Sequence, residues 1–149
     1  RKEELYRDLA KIHGIKLAPG SRLFLEQIRS HSIRCSIGTS TERMNVELAL
    51  EQHDLSQFFE GSACSENVKH GKPDPEVFLK AAQILSLNPN ECAIFEDSPH
   101  GIEAGKRAGM KTVALCTSYP SNCFMDLKPD MVVLSLAEIV PAQVQHLFD

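Results

Sequence analysis

The segment Cys92-Ala93-Ile94-Phe95 is a short apolar run, and Glu96-Asp97 and then Ser98-Pro99 follow it without a break. A continuous apolar run of this length reads as a buried parallel strand, while Ser as N-cap and Pro as first helical residue mark a helix start. A strand passing directly into a helix points to an α/β fold. It sets Glu96 and Asp97 at the carboxyl end of the strand, the edge on which open α/β sheets bind ligands. Mg²⁺ is usually held by one or two carboxylates together with substrate phosphate oxygens, so this pair is chemically suited to a metal. The alternative for the same residues is plainer: Asp97 helps cap the helix and Glu96 is a solvated charge.

The rest of the chain repeats the alternation. Arg1 to His13 carries Leu5, Leu9 and Ile12 at helical spacing, Gly14 can end that helix, and Pro19-Gly20 marks a turn. A short helix from Ser21 precedes an apolar strand over Ile33 to Gly38. Thr39-Ser40-Thr41-Glu42 then offers N-cap candidates for a helix reaching about His53. Phe58-Phe59 reads as a core anchor and Gly61 to Cys64 as a weak strand. Pro75 opens a helix with Val77, Phe78, Ala81, Ala82, Ile84 and Leu85 on its apolar face, ended by Asn88-Pro89-Asn90. Beyond the helix at Ser98, Gly109 precedes a strand at Thr112 to Leu115, the Ser-, Pro- and Asn-containing segment Cys116 to Pro129 is a loop, and Asp130 to Val133 is a last short strand. Strands alternating with helices of this length imply a mainly parallel sheet with helices on both faces.

Composition narrows the function classes. At 149 residues and 42% hydrophobic the chain supports one compact domain with a real core and has no room for a second full one. A net charge of -4 with scattered Lys and Arg argues against nucleic-acid binding. No apolar run approaches the roughly 18 residues of a membrane span, and Arg1-Lys2-Glu3-Glu4-Leu5 lacks a signal-peptide core, so a soluble, cytoplasmic protein without a membrane partner is expected. Of the five cysteines, Cys35, Cys64, Cys92 and Cys116 fall in or beside predicted strands without CxxC spacing and read as small buried hydrophobes in a reducing compartment.

Three loops carry polar residues to one sheet edge, because right-handed crossovers place the carboxyl ends of parallel strands together. At Thr39-Ser40, a hydroxyl and backbone N–H groups ahead of a helix can bind a phosphate oxygen; helix capping is the alternative role. In Gly71-Lys72-Pro73-Asp74-Pro75, two prolines stiffen the loop and Gly71 frees the approach to Lys72, whose ammonium can neutralise a transferring phosphoryl group. Glu96-Asp97 is the third. Arg43, just past the first loop, reads on its own as a solvated first-turn residue. His100 reads as a surface residue.

A strand ending in Thr39-Ser40, the segment Gly71-Lys72-Pro73-Asp74-Pro75-Glu76-Val77-Phe78, and Phe95-Glu96-Asp97-Ser98-Pro99-His100-Gly101 together resemble the haloacid dehalogenase-like hydrolase superfamily, within it the branch of β-phosphoglucomutase and small-metabolite phosphatases. The likeness covers essentially Pro19 to Leu115. It implies a Rossmann-like core, a Mg²⁺ cofactor held by Glu96 and Asp97, and a small phosphorylated metabolite as partner. Thr39 would bind the phosphoryl oxygen with Ser40 beside it, and Lys72 would pair with the nucleophile and the phosphate charge. Arg43 occupies a position where relatives often contact substrate.

One part of the pattern is missing. The superfamily's first motif is an apolar strand ending Asp-x-Asp-Gly-Thr, whose two Asp serve as nucleophile and general acid/base, and this chain contains no Asp-x-Asp. In the superfamily's topology that strand lies between the one leading to Thr39 and the one carrying Glu96. The fold is therefore read as incomplete: residues 1–18 as a remnant of a helical cap and its return linker, residues 19–149 as the C-terminal part of the catalytic core. A parent enzyme is expected to hydrolyse a phosphorylated metabolite through an aspartyl-phosphate. Alternatives are a sugar-phosphate mutase and a non-catalytic phosphate- or partner-binding pseudo-phosphatase. The chain alone is expected to be inactive and to hold Mg²⁺ weakly, as a monomer, with a dimer the alternative.

Overall fold

The computed structural model describes Arg1–Asp149, and its elements follow the alternation of the sequence. In chain order they are α1 (Lys2–His13), α2 (Ser21–Ser30), β1 (Ile37–Gly38), α3 (Arg43–His53), β2 (Ser62–Ala63), α4 (Glu76–Ile84), β3 (Ala93–Glu96), α5 (Pro99–Arg107), β4 (Lys111–Leu115), β5 (Met131–Val133) and α6 (Pro141–His146). Every strand pairing is parallel, as strands separated by helices require. No helix is long and apolar enough to cross a membrane.

The expected sheet is present but interrupted. β1 pairs only with β2, while β3, β4 and β5 form a separate set. The Ile37 N–H donates to the Gly61 carbonyl and the Thr39 N–H to the Ala63 carbonyl, both at 3.0 Å, so alternate residues of β1 turn their main-chain groups toward β2. Ser36 and Gly38 turn theirs to the opposite side. On β3, the Lys111 N–H donates to the Cys92 carbonyl at 3.0 Å, which leaves the main-chain groups of Ala93 and Phe95 on the side away from β4. The apolar run Ile33 to Gly38 reads as a six-residue strand, yet the regular ladder holds only Ile37–Gly38, opposite the equally short β2, with one further main-chain bond from the Glu60 N–H to the Cys35 carbonyl at 2.9 Å.

Two helical layers cover both strand sets. On one face Val77, Phe78, Ala81 and Ala82 of α4 and Ile102 and Ala104 of α5 pack with Ala63, Ile94 and Ala114. On the other, Phe24 and Ile28 of α2 and Val144 of α6 pack with Val113 and Ile139, joined by Ile33, Cys35 and Phe95. Phe124, within the loop Cys116 to Pro129, is fully buried between short 3-10 turns, an anchor that the polar composition of the loop conceals.

α3 receives its cap from elsewhere in the chain. Glu42 occupies the N-cap position without a side-chain bond, and the Glu66 carboxylate accepts from the Arg43 N–H at 3.0 and 3.2 Å. That backbone hydrogen bond holds the Glu66 carboxyl below its usual range.

Candidate active site

The loop before α4 is stitched to the first turn of that helix. Asp74 Oδ1 accepts from the Glu76 N–H at 2.9 Å, and Glu76 Oε2 accepts from the Lys69 and His70 N–H groups at 3.0 and 3.1 Å. Lys72 is thereby aimed at the end of β3. Its Nζ lies 2.6 Å from Glu96 Oε1 and 4.7 Å from the centre of the Phe78 ring, with both charged side chains only 11% exposed. The second carboxylate oxygen, Glu96 Oε2, accepts from the Ser98 N–H and hydroxyl, each at 3.0 Å. Ser98 Oγ in turn accepts from the Gly101 N–H at 3.1 Å and caps α5. A Cβ at Gly101 would lie within 2.0–2.3 Å of the Glu96 carboxylate group, so glycine is what lets the helix sit this close to the acid.

Asp97 is exposed and leaves the capping of α5 to Ser98. Its Oδ2 accepts from the Ser118 hydroxyl at 2.7 Å. Ser118, on the loop after β4, is a site residue that sequence reasoning passed over; no local signal links two residues so far apart.

Thr39 follows β1, on the far side of the interruption. Its Oγ1 accepts from the Thr41 N–H at 3.2 Å, and its own hydroxyl proton has no acceptor within the chain, so it can donate to a bound oxyanion. Ser40 beside it is exposed. Thr39 makes no hydrogen bond to the Lys72–Glu96 pair; its neighbour Gly38 packs on the Phe78 ring, where a Cβ would come within 2.8 Å, and Lys72 lies over the same ring. Arg43 directs its guanidinium to Ser62 Oγ, the Ser62 carbonyl and Asn67 Oδ1, all at 2.9 Å, and so ties α3 to the loop after β2. His100 is exposed on the first turn of α5.

The donor set fits Mg²⁺ in kind and falls short in number. Carboxylate oxygens are the hard ligands this ion takes. Asp97 keeps one oxygen free of protein donors, whereas both Glu96 oxygens are engaged by Lys72 and Ser98. No three His, Cys, Asp or Glu side chains gather as a metal cluster. The five thiols are free: Cys64 is fully buried, Cys123 is exposed, and burial pushes the Cys35 thiol up to about 11, with the Glu60 charge adding to the effect.

A parallel layer whose strand ends carry a free threonine hydroxyl, a lysine paired with a largely buried carboxylate and an open aspartate defines an α/β protein with its charged and hydroxyl side chains at the carboxyl ends of the strands. The chain belongs to the haloacid dehalogenase-like hydrolase family, which matches residues 2–115. It is 32% identical over 131 residues to a bifunctional riboflavin kinase/FMN phosphatase of Arabidopsis thaliana, covering 87% of this chain and 34% of that protein. It is 36% identical over 99 residues to a phosphorylated carbohydrates phosphatase of Thermotoga maritima, covering 66% and 46% of the two. The fold superimposes on a crystal structure of β-phosphoglucomutase from Clostridium difficile with a TM-score of 0.85 at 26% identity, over 99% of this chain and 63% of that one. The chain thus spans about a third to a half of the length of these two phosphatases.

Proposed function

We propose that these residues serve Mg²⁺-dependent phosphoryl transfer, the removal of phosphate from a small phosphorylated metabolite through an aspartyl-phosphate. The observation that carries this reading is the Lys72–Glu96 ion pair, 2.6 Å apart and only 11% exposed, at the mouth of a parallel strand with Asp97 beside it. A buried ammonium already neutralised by one carboxylate is placed to exchange part of that partnership for the charge on a phosphoryl group. Thr39 donates its unused hydroxyl proton to a phosphoryl oxygen, with Ser40 adjacent. Arg43 acts at the substrate only after releasing Ser62 or Asn67. Asp97, with Glu96 directly or through water, holds Mg²⁺, which when bound supplies electrostatic stabilisation of the developing negative charge.

The nucleophile and the acid/base belong to an Asp-x-Asp strand that this sequence does not contain, and we place that strand between β1 and β3. The unpaired main-chain groups of Ser36 and Gly38 on one side and Ala93 and Phe95 on the other support this position, since buried strand edges without partners are unfavourable. Residues 1–18 are then cap and linker and residues 19–149 catalytic core. The outward apolar face of α1, with Leu5 59% and Ile12 73% exposed, supports further chain lying over it.

In the full-length protein Asp97→Asn is expected to abolish Mg²⁺-dependent hydrolysis of p-nitrophenyl phosphate, and unchanged turnover would sink the assignment. The 149-residue chain alone is expected to show no turnover and weak Mg²⁺ binding. A mutase is the second reading, favoured by the likeness to β-phosphoglucomutase. Screening phosphorylated metabolites separates the two, because a phosphatase releases orthophosphate whereas a mutase returns the group to another hydroxyl.

A further inference from the structure

Asn45, in the first turn of α3, is one of two buried polar residues, 6% exposed, and it stands between α1 and the candidate phosphate loop. Its Nδ2 donates to Glu3 Oε2 at 2.7 Å and to Thr41 Oγ1 at 2.8 Å, and its Oδ1 accepts from Arg7 Nη1 at 3.2 Å. Arg7 Nη1 also donates to Glu42 Oε2 at 2.9 Å. The partners dictate which way the amide points, because an ionised carboxylate only accepts and a guanidinium only donates. From Thr41 the connection continues to the phosphate-binding candidate, through the Thr41 N–H on Thr39 Oγ1. Two residues of α1, one amide and two threonines thus form a single hydrogen-bonded route.

A buried amide with both donors and its acceptor engaged resists partial disengagement, since a state that withdraws Glu3 and Arg7 without admitting water leaves one donor and the acceptor unpaired. The same helix borders the space in front of the loop. A cleft of about 550 Å³ is lined by Lys2, Glu3 and Tyr6 on α1 and by Thr39, Thr41 and Asn45 opposite. Where α1 sits therefore decides both the shape of that cleft and the partners of Thr41.

We propose that Asn45 is a positioning residue that couples the docking of α1 to the Thr39–Thr41 loop, so that seating α1 and binding a phosphate oxyanion at Thr39 favour each other. By thermodynamic linkage the effect runs both ways: phosphate tightens α1, and docked α1 tightens phosphate. The phosphate half rests on the function proposed above, whereas the coupling of helix to loop stands on the hydrogen bonds alone.

Amide hydrogen exchange on the 149-residue chain tests both. Without ligand, Asn45→Ala is expected to speed exchange in α1 and in Thr39–Arg43 by about tenfold or more, the loss of charge-assisted buried hydrogen bonds, while α5 keeps its protection. Asn45→Asp sets a carboxylate against Glu3 and is expected to loosen α1. Adding Glu3→Gln to it supplies a donor again and is expected to restore protection in both segments, which a generally damaged fold would not do. Faster exchange in α1 with an unchanged loop, or failure of the Glu3→Gln rescue, overturns the coupling; should Asn45→Ala fail to fold, the rescue pair decides it. In the wild type, inorganic phosphate is expected to slow exchange in the loop and in α1 together. Slowing in the loop only overturns the linkage, and slowing in neither refutes the phosphate site while the rescue pair still decides the coupling.

Discussion

α1 and α5 flank the same candidate site and are attached to the protein in opposite ways. α5 has nine residues and buries Gly101, Ile102, Ala104 and Gly105, and a Cβ at Gly105 would come within 2.5 Å of Ile94 on β3. α1 has twelve residues and buries only Ala10, with Leu5, Leu9 and Ile12 exposed. What holds α1 is polar: Glu3 and Arg7 on Asn45, Gln52 Nε2 on the Ala10 carbonyl at 2.8 Å, Gln52 Oε1 under the Ile15 N–H at 2.8 Å, and the His53 ring against the Ile15 carbonyl. Apolar burial is worth about 1.5–3 kcal/mol per large side chain, whereas a hydrogen bond exchanged with water nets about 0.5–1.5. The longer helix is thus the weaker attachment. The charge-bearing side of the candidate site, Lys72 with Glu96 and Asp97, packs against the rigid helix, and the Thr39–Thr41 side is tied to the adjustable one.

Substitutions on the α5 side should have the largest effects. Lys72→Met leaves the Glu96 carboxylate buried without its cation and is expected to destabilise by about 3 kcal/mol, the low end for a broken buried pair because Ser98 still donates two hydrogen bonds. In a urea double-mutant cycle, Lys72→Met with Glu96→Gln should lose less than the two singles summed; full additivity would dissolve the pair as a unit. Ile102→Ala, at a fully buried site, is expected to cost about 2–4 kcal/mol. Gly101→Ala forces Glu96 out of its place and is expected to cost about 1–3 kcal/mol, with a lost Lys72 contact visible in a crystal structure of the variant. A neutral result would mean that α5 can retreat, and the contrast with α1 would fail.

The sheet side should also show a pH signature. The Cys35 thiol is raised from an ordinary 9.0 to about 11, chiefly by burial, so above pH 9 the unfolded chain releases a proton that the folded chain keeps. Stability therefore falls between about pH 9 and 11, by at most about 1.4 kcal/mol per pH unit from this group. Cys35→Ala should flatten that limb of the urea-derived stability, and an identical alkaline limb in both proteins would show the thiol to be more accessible than its burial implies.

What could be read from the sequence was what local signals encode. Ser98-Pro99 after an apolar run fixes both the strand end and the helix start, so the sheet-edge position of Glu96 and Asp97 is legible from their immediate neighbours. The two prolines around Asp74 do the same for Lys72. Asn45, Glu66 and Ser118 were not legible, because each owes its role to a partner distant in the chain: Glu3 and Arg7, the Arg43 N–H, and Asp97. For Asn45 a hint exists in its helical spacing to the apolar Ala49, since a polar residue on such a face needs partners once it is buried. The length of β1 follows the same rule, because an apolar run records how buried a segment can become, whereas the ladder depends on a partner distant in the chain, the two-residue β2.

The smallest expected effect is the sharpest test of the contrast. Ile12→Ala removes the same atoms from α1 that Ile102→Ala removes from α5, yet Ile12 is 73% exposed and Ile102 not at all. In the 149-residue chain the first should change stability by no more than about 0.5 kcal/mol, since no cavity forms and alanine is the better helix former. Any larger loss would mean that the apolar face of α1 is covered in solution. Repeating the substitution in the longer protein proposed above tests whether further chain lies over that face. A loss approaching the 2–4 kcal/mol expected of Ile102→Ala would identify α1 as a core helix of a neighbouring cap, held by polar contacts to one unit and by apolar contacts to the other. A value still near zero would leave α1 an exposed strap, and its polar attachment through Asn45 would then be its main connection to the fold.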